Sequence, residues 1–129
     1  MTAGDGQLRV LVIDDSRLAR QSMSHALRGA GFVVHELPSP IGATRELLRK
    51  DIGFVVIDIE MPALRGDKLA ALFRSNPRFA GVALVLVSSL PEEELAALAQ
   101  EAGADAAIPK SRLPAELVAT LRRLAAQRA

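Results

Sequence analysis

The residues of this chain whose types could do chemistry are few. Asp14-Asp15, Asp58, Ser88-Ser89 and Lys110 each stand directly after a short apolar run. Carboxylates crowded together repel one another and raise each other's proton affinity. A hard divalent cation relieves that repulsion, and Mg²⁺ favours oxygen ligands while keeping several waters. An aspartate beside such a metal can attack phosphorus. Lys110 would bring a point charge to a phosphoryl oxygen, and the Ser88 hydroxyl could donate to another. Taken singly, each residue has a plainer role. Asp15 and Ser16 could cap a helix, Ser88 and Ser89 could form a turn ahead of Pro91, and Lys110 could be a solvated charge. The chemical reading therefore depends on whether the fold gathers these residues.

The apolar runs preceding them cover residues 8–13, 32–37, 54–57, 82–87 and 106–108. Runs apolar on both faces suit parallel strands covered on both sides. Helical spacing fills the intervals. Ala19, Met23, Ala26, Leu27 and Ala30 form a stripe within 16–30, and Ala43, Leu47 and Leu48 lie within 41–50. Leu69, Leu72 and Phe73 fall within 66–75. Residues 91–102 open with Pro91 and three glutamates, which suit a first helical turn. Residues 113–127 repeat Leu113, Leu117, Leu121 and Leu124, with Arg122 and Arg123 late. Gly31, Gly53, Gly81 and Gly103 precede the later strands, where a left-handed helix end would take glycine. Five strand–helix units, (βα)₅, with right-handed crossovers imply an α/β domain: a parallel sheet with helices on both faces. Ligands of such sheets bind beyond the carboxyl ends of the strands, where the acids, the serines and the lysine fall.

Composition bounds the reading. The 129 residues fit one domain, here 8–129 preceded by a polar, Gly-rich tail at 1–7. Half the residues are hydrophobic and only 3% aromatic, so the core is aliphatic. A formal net charge of +1 gives no electrostatic case for direct nucleic-acid binding. Without cysteine there is no disulfide, thiolate metal site or Cys nucleophile. No signal peptide is visible, and the apolar run at 82–87 is far short of a membrane span. The expectation is a soluble, cytoplasmic protein without membrane contact.

In combination these blocks resemble the receiver domain of two-component response regulators. The segment Val10-Leu11-Val12-Ile13-Asp14-Asp15-Ser16-Arg17 resembles the first strand and its acidic pair. Val56-Ile57-Asp58-Ile59-Glu60-Met61-Pro62, with Gly66 after it, resembles the phosphorylation loop. Leu86-Val87-Ser88-Ser89 resembles the fourth strand, and Gly103-Ala104-Asp105 followed by Lys110 the approach to the fifth. The resemblance spans about residues 8–127 and implies a flavodoxin-like sheet in the order 2-1-3-4-5. It implies Asp58 as phosphoacceptor and Mg²⁺ held by Asp14, Asp15, Asp58 and the backbone carbonyl of Glu60. Ser88 would be the switch hydroxyl and Lys110 would pair with the phosphoryl group. The partners implied are a histidine kinase or phosphotransfer protein, a downstream target or effector domain, and a second copy docked through the fourth and fifth helices. There, Arg122 and Arg123 would face Glu92 to Glu94. The protein would catalyse its own phosphorylation and slow dephosphorylation, without being a turnover enzyme.

Three departures qualify the resemblance. The family usually has Lys-Pro with a cis bond, and here Lys110 is followed by Ser111. A cis bond without proline costs about 2.5–4 kcal/mol, so a trans, displaced or more mobile loop is expected at 110–114. The aromatic usual on the fifth strand is replaced by Ala107, which removes the ring that reports phosphorylation. The sequence ends soon after the last helix, as a stand-alone or excised receiver would. The alternative reading is a pseudo-receiver, an interaction module that signals without phosphate. A phosphatase of the haloacid-dehalogenase type also places an acid two residues after its nucleophile, as Asp58-Ile59-Glu60 does. Met61-Pro62 does not fit that pattern, and Asp14-Asp15 would be unexplained by it.

Overall fold

A computed structural model describes residues 8–128, so the tail expected at 1–7 lies outside the described residues. Strands β1 (Arg9–Ile13), β2 (Val33–Leu37), β3 (Phe54–Asp58), β4 (Ala83–Ser88) and β5 (Ala106–Pro109) alternate with five helices. These are α1 (Arg17–Gly29), α2 (Ala43–Arg49), α3 (Gly66–Arg74), α4 (Glu92–Ala102) and α5 (Ala115–Arg128). The strands are all parallel, in the order β2-β1-β3-β4-β5. The expected (βα)₅ sheet is therefore the observed one.

Alternation along the strands divides the core. Leu11, Ile13, Val55, Ile57, Leu84 and Leu86 point to one face, where they pack against Leu47 of α2, Phe73 of α3 and Leu95 of α4. Val10, Val12, Val56, Val85, Val87 and Ile108 point to the other, against Met23 and Leu27 of α1 and Leu117 and Leu121 of α5. β1, β3 and β4 are covered on both sides, which is why they read as unbroken apolar runs. This burial pins the register, and the register decides which residues emerge together at the carboxyl edge. Ile13 pairs with Ile57 and Asp58 with Val87, so Asp14, Asp58 and Ser88 leave neighbouring strands at nearly one level.

Local chemistry adjusts several expected boundaries. Ser16 does cap α1, its side chain accepting from the Ala19 N–H at 3.2 Å. Gly31 and Gly103 adopt positive φ as expected. Gly53 and Gly81 do not. Asp51 takes the left-handed position after α2, and a 3₁₀ turn at Pro77–Phe79, capped by Asn76, intervenes before β4. Leu113 does not begin α5. It is extended, with ψ 153°, because the residue before a proline is disfavoured in the helical region, and the helix starts at Ala115. Arg74 ties the end of α3 to the approaches of β4 and β5. It donates to the carbonyls of Gly103 and Val82 and pairs with Asp105 at 2.9 Å.

Gly66 is fixed by a close approach. Its N–H donates to the Ile59 carbonyl at 2.9 Å, folding the loop back onto the end of β3. A Cβ there would collide with the backbone carbonyl of Asp58 and lie 2.8 Å from the Ile57 side chain. Gly66→Ala should therefore cost roughly 1–3 kcal/mol or more, as overpacking against backbone does. Gly29→Ala, in α1 with nothing near its added Cβ, should gain up to about 1 kcal/mol. Urea unfolding of the two variants beside the parent checks the contrast, and equal midpoints would refute it.

Candidate functional site

The edge of the sheet is built around Asp14. It is fully buried at the end of β1, and its Oδ1 accepts the Ser16 N–H at 2.9 Å. Arg20, one turn into α1, donates to the Asp14 carbonyl at 2.7 Å and pairs with Glu36 of β2 at 3.3 Å. These contacts hold the backbone of the acidic pair against the sheet. Asp15 is exposed. Asp58, the last residue of β3, is buried, and its Oδ1 accepts the Glu60 N–H at 3.1 Å. Ligand oxygens of Asp14, Asp15 and Asp58 all lie within 4.8 Å of one another.

Lys110 reaches this cluster from β5. Its Nζ stands 3.2 Å from Asp14 Oδ2 and 3.5 Å from Asp58 Oδ1. The Lys110–Ser111 bond is trans and opens a 3₁₀ turn over Lys110–Arg112, with the cis bond of this region at Leu113–Pro114. The expected trans loop is present, but it does not carry the ammonium away from the acids. The turn satisfies its backbone locally and leaves the lysine side chain pointing at the carboxylates. A crevice of about 370 Å³ opens beside it, lined by Ser88, Ser89, Leu90, Glu92, Pro109 and Ser111. A larger cavity, about 610 Å³, lies at the opposite edge between the starts of β1, β3 and β4. Its lining includes none of Asp14, Asp15, Asp58, Ser88 and Lys110, whereas the smaller crevice is lined in part by Ser88 and Lys110.

Electrostatics follow from the crowding. Burial, then the charge of Asp14, pushes Asp58 up to about 6, against the opposing pull of Lys110 and the Glu60 N–H. Burial opposes the charge on Lys110, but Asp14 and Asp58 outweigh it and hold the ammonium above its ordinary value. Asp14 Oδ2 is buried and has no hydrogen-bond donor; its contact with Lys110 is an ion pair without hydrogen-bond geometry. Clustered hard oxygen donors, one of them orphaned, fit a divalent cation such as Mg²⁺. Asp14, Asp15 and Asp58 are the side chains that would hold it.

Ser88, read from the sequence as a switch hydroxyl that would swing toward a phosphoryl group, is engaged with Glu60. Its Oγ donates to Glu60 Oε1 at 2.9 Å, and the Ser89 N–H donates to the same oxygen at 3.0 Å. These bonds, Ser89 first, draw the Glu60 carboxyl below its usual range. The sequence singled out the Glu60 carbonyl as a ligand and its acid in the phosphatase comparison. The contact of that side chain with the end of β4 went unread because nothing in Asp58-Ile59-Glu60 says which way the loop turns. Ala107 pairs with Leu86 and packs partly buried against the core, so no ring lies beside Ser88 on β5. Glu92 is held within the chain by Arg112 at 2.8 Å, while Arg122 and Arg123 are exposed on α5.

The domain is thus a five-stranded parallel α/β fold of flavodoxin-like strand order, with three convergent carboxylates and a lysine at its carboxyl edge. Comparison with known proteins narrows this. The response regulator receiver domain model matches residues 10–122, and the chain belongs to that family. It is 32% identical over 113 residues to the gliding motility regulatory protein of Myxococcus xanthus, covering 88% of this chain and 14% of that protein. It is 31% identical to the chemotaxis protein CheV3 of Helicobacter pylori, covering 78% of this chain and 36% of the relative. The chain thus spans well under two thirds of the curated relatives it matches. In fold it is similar to a CheY-like receiver domain protein of Methanospirillum hungatei, with a TM-score of 0.84, 20% identity and coverage of 95% and 96%. It is also similar to the chemotaxis protein CheY4 of Vibrio cholerae, at 0.82, 24% identity and coverage of 91% and 98%.

The raised Asp58 makes a stability prediction. Its protonated form favours the folded state, so that contribution is full below about 3.8 and is lost as pH rises through about 6. In metal-free buffer the parent should lose stability over this window. At pH 7, Asp58→Asn should be more stable than the parent by about 1–3 kcal/mol, the worth of one to two pKa units. Urea unfolding with a chelator present measures it, and a less stable variant at pH 7 would contradict the assignment.

Proposed function

We propose that this receiver is a phosphorylation-dependent switch in which Asp58 accepts a phosphoryl group from a histidine kinase or phosphotransfer protein. The observation that carries the reading is the burial of Asp14 and Asp58 side by side, with the Lys110 ammonium set against both and Asp15 within ligand reach. A fold with no use for a cation or a phosphoryl group has no physical reason to bury like charges together. With Asp58 near 6, the nucleophilic carboxylate form predominates at neutral pH. An Asp58 carboxylate oxygen forms the new bond to phosphorus. The phosphorus–nitrogen bond of the donor breaks, and its electron pair returns to the donor imidazole, which takes up a proton. Lys110 balances charge on the transferring oxygens. Bound Mg²⁺, held by Asp14, Asp15, Asp58 and the Glu60 carbonyl, would supply Lewis-acid neutralisation of that charge.

On this reading the protein catalyses its own phosphorylation and slow hydrolysis and turns over no external substrate. It acts in the cytoplasm, where an ATP-fed kinase and a target protein both meet it. A second copy docked on α4 and α5 is a further partner. Arg122 and Arg123 are available there, although Glu92 is engaged by Arg112. The pseudo-receiver reading is favoured by one observation, the small Ala107 where a reporting ring would stand. The acid set counts against it.

Acetyl phosphate with Mg²⁺, followed by intact-mass measurement, tests the proposal. The parent should gain one phosphoryl group and Asp58→Asn none. Lys110→Ala should react about a hundredfold or more slowly, the loss typical of removing one charge-stabilising group. Equal incorporation by Asp58→Asn would end the assignment.

A further inference from the structure

Glu60 is exposed, yet its Oε1 is the meeting point of two donors from the end of β4. The Ser88 hydroxyl donates its one proton there and accepts from the Leu90 N–H at 3.0 Å, so its donor capacity is spent. The Ser89 N–H is spent on the same atom. The backbone of Glu60 meanwhile donates to Asp58 Oδ1. A single residue thus bridges the acceptor aspartate and the β4 terminus, with its main chain on one and its carboxylate on the other.

The donor pair is an anion site in all but its occupant. A hydroxyl and an N–H converge on one carboxylate oxygen at 2.9 and 3.0 Å, the arrangement a phosphoryl oxygen would also accept. Asp58 pairs with Val87 in the sheet, so Ser88 closes the adjacent strand one residue further on and Ser89 follows it at the same carboxyl edge. A phosphoryl group on Asp58 would bring nearly two negative charges and three acceptor oxygens to that edge. It cannot share the donors with a carboxylate without placing like charges side by side.

We infer that Glu60 is an internal competitor for the phosphoryl-oxygen site, a carboxylate latch that must leave Ser88 and Ser89 before they can serve a group on Asp58. This deepens the phosphoacceptor reading and rests on it. The latch subtracts the energy of its own two bonds from every loading event, and so sets the donor strength needed to switch the domain. Glu60 has somewhere to go, because it sits on the solvent side of the loop. Its release also transmits loading to the start of α4, since the Ser88–Leu90 segment is what it holds. That route needs no ring at Ala107.

Beryllofluoride with Mg²⁺ is the probe, because it reports equilibrium occupancy without hydrolysis. The Ser89 and Leu90 amide resonances are followed in the parent, Glu60→Gln and Glu60→Ala, both of which keep the backbone carbonyl of residue 60. Glu60→Ala should half-saturate at about tenfold lower beryllofluoride, a factor equal to ~1.4 kcal/mol. Glu60→Gln should fall between, since it keeps an acceptor oxygen without charge. The Ser89 amide should shift in both variants before any ligand is added. Binding by the parent with no gain in either variant overturns the latch alone. Binding by none of the three overturns the phosphoacceptor reading and the latch with it.

Discussion

The mutual repulsion of carboxylates at the sheet edge is the constraint around which this domain is arranged. Asp14 is fully buried, Asp58 nearly so, and Asp15 brings a ligand oxygen within 4.8 Å of both. Lys110 is the ammonium placed among them, and it touches two of the three. One positive charge against three negative ones leaves an excess that burial makes costly. The raised proton affinity of Asp58 and the orphaned Asp14 oxygen both express that excess. A cation or a proton would relieve it.

Holding such a site together falls to the apolar sheet beneath it. β1, β3 and β4 are sealed on both faces, so their register cannot slip without exposing a whole set of side chains. Arg20 anchors the acidic pair from α1, and Gly66 lets α3 begin against the Asp58 backbone. The rigid part of the molecule therefore positions the acids, while the loops after β3, β4 and β5 carry Glu60, Ser88-Ser89 and Lys110. Those loops can rearrange without disturbing the sealed core.

The division between what could and could not be read from the sequence follows the same line. Strands were legible to within a residue at most ends because sealed parallel strands must be continuously apolar. The placement of Asp14, Asp15, Asp58, Ser88 and Lys110 on one edge followed from each closing such a run. Turn chemistry was less legible. Gly53 and Gly81 looked like helix ends, yet Asp51 and the Asn76-capped turn did that work, because neighbouring backbone and not residue type alone decided the conformation. Leu113 kept the helical repeat but lost the helix to Pro114. Lys110 reached the acids through a trans bond, since the 3₁₀ turn aims its side chain independently of the missing proline. The contact of the Glu60 carboxylate with the end of β4 and the Arg74 clamp were invisible, as each depends on contacts between segments distant along the chain.

The account as a whole turns on whether the acid cluster takes up a divalent cation, and an amide spectrum recorded during Mg²⁺ titration asks this most directly. Saturable shifts confined to the loops holding Asp14, Asp15, Asp58 and Glu60, and abolished by Asp15→Asn, are the result expected. Resonances that stay put throughout the titration, or that move equally in the variant, would contradict it.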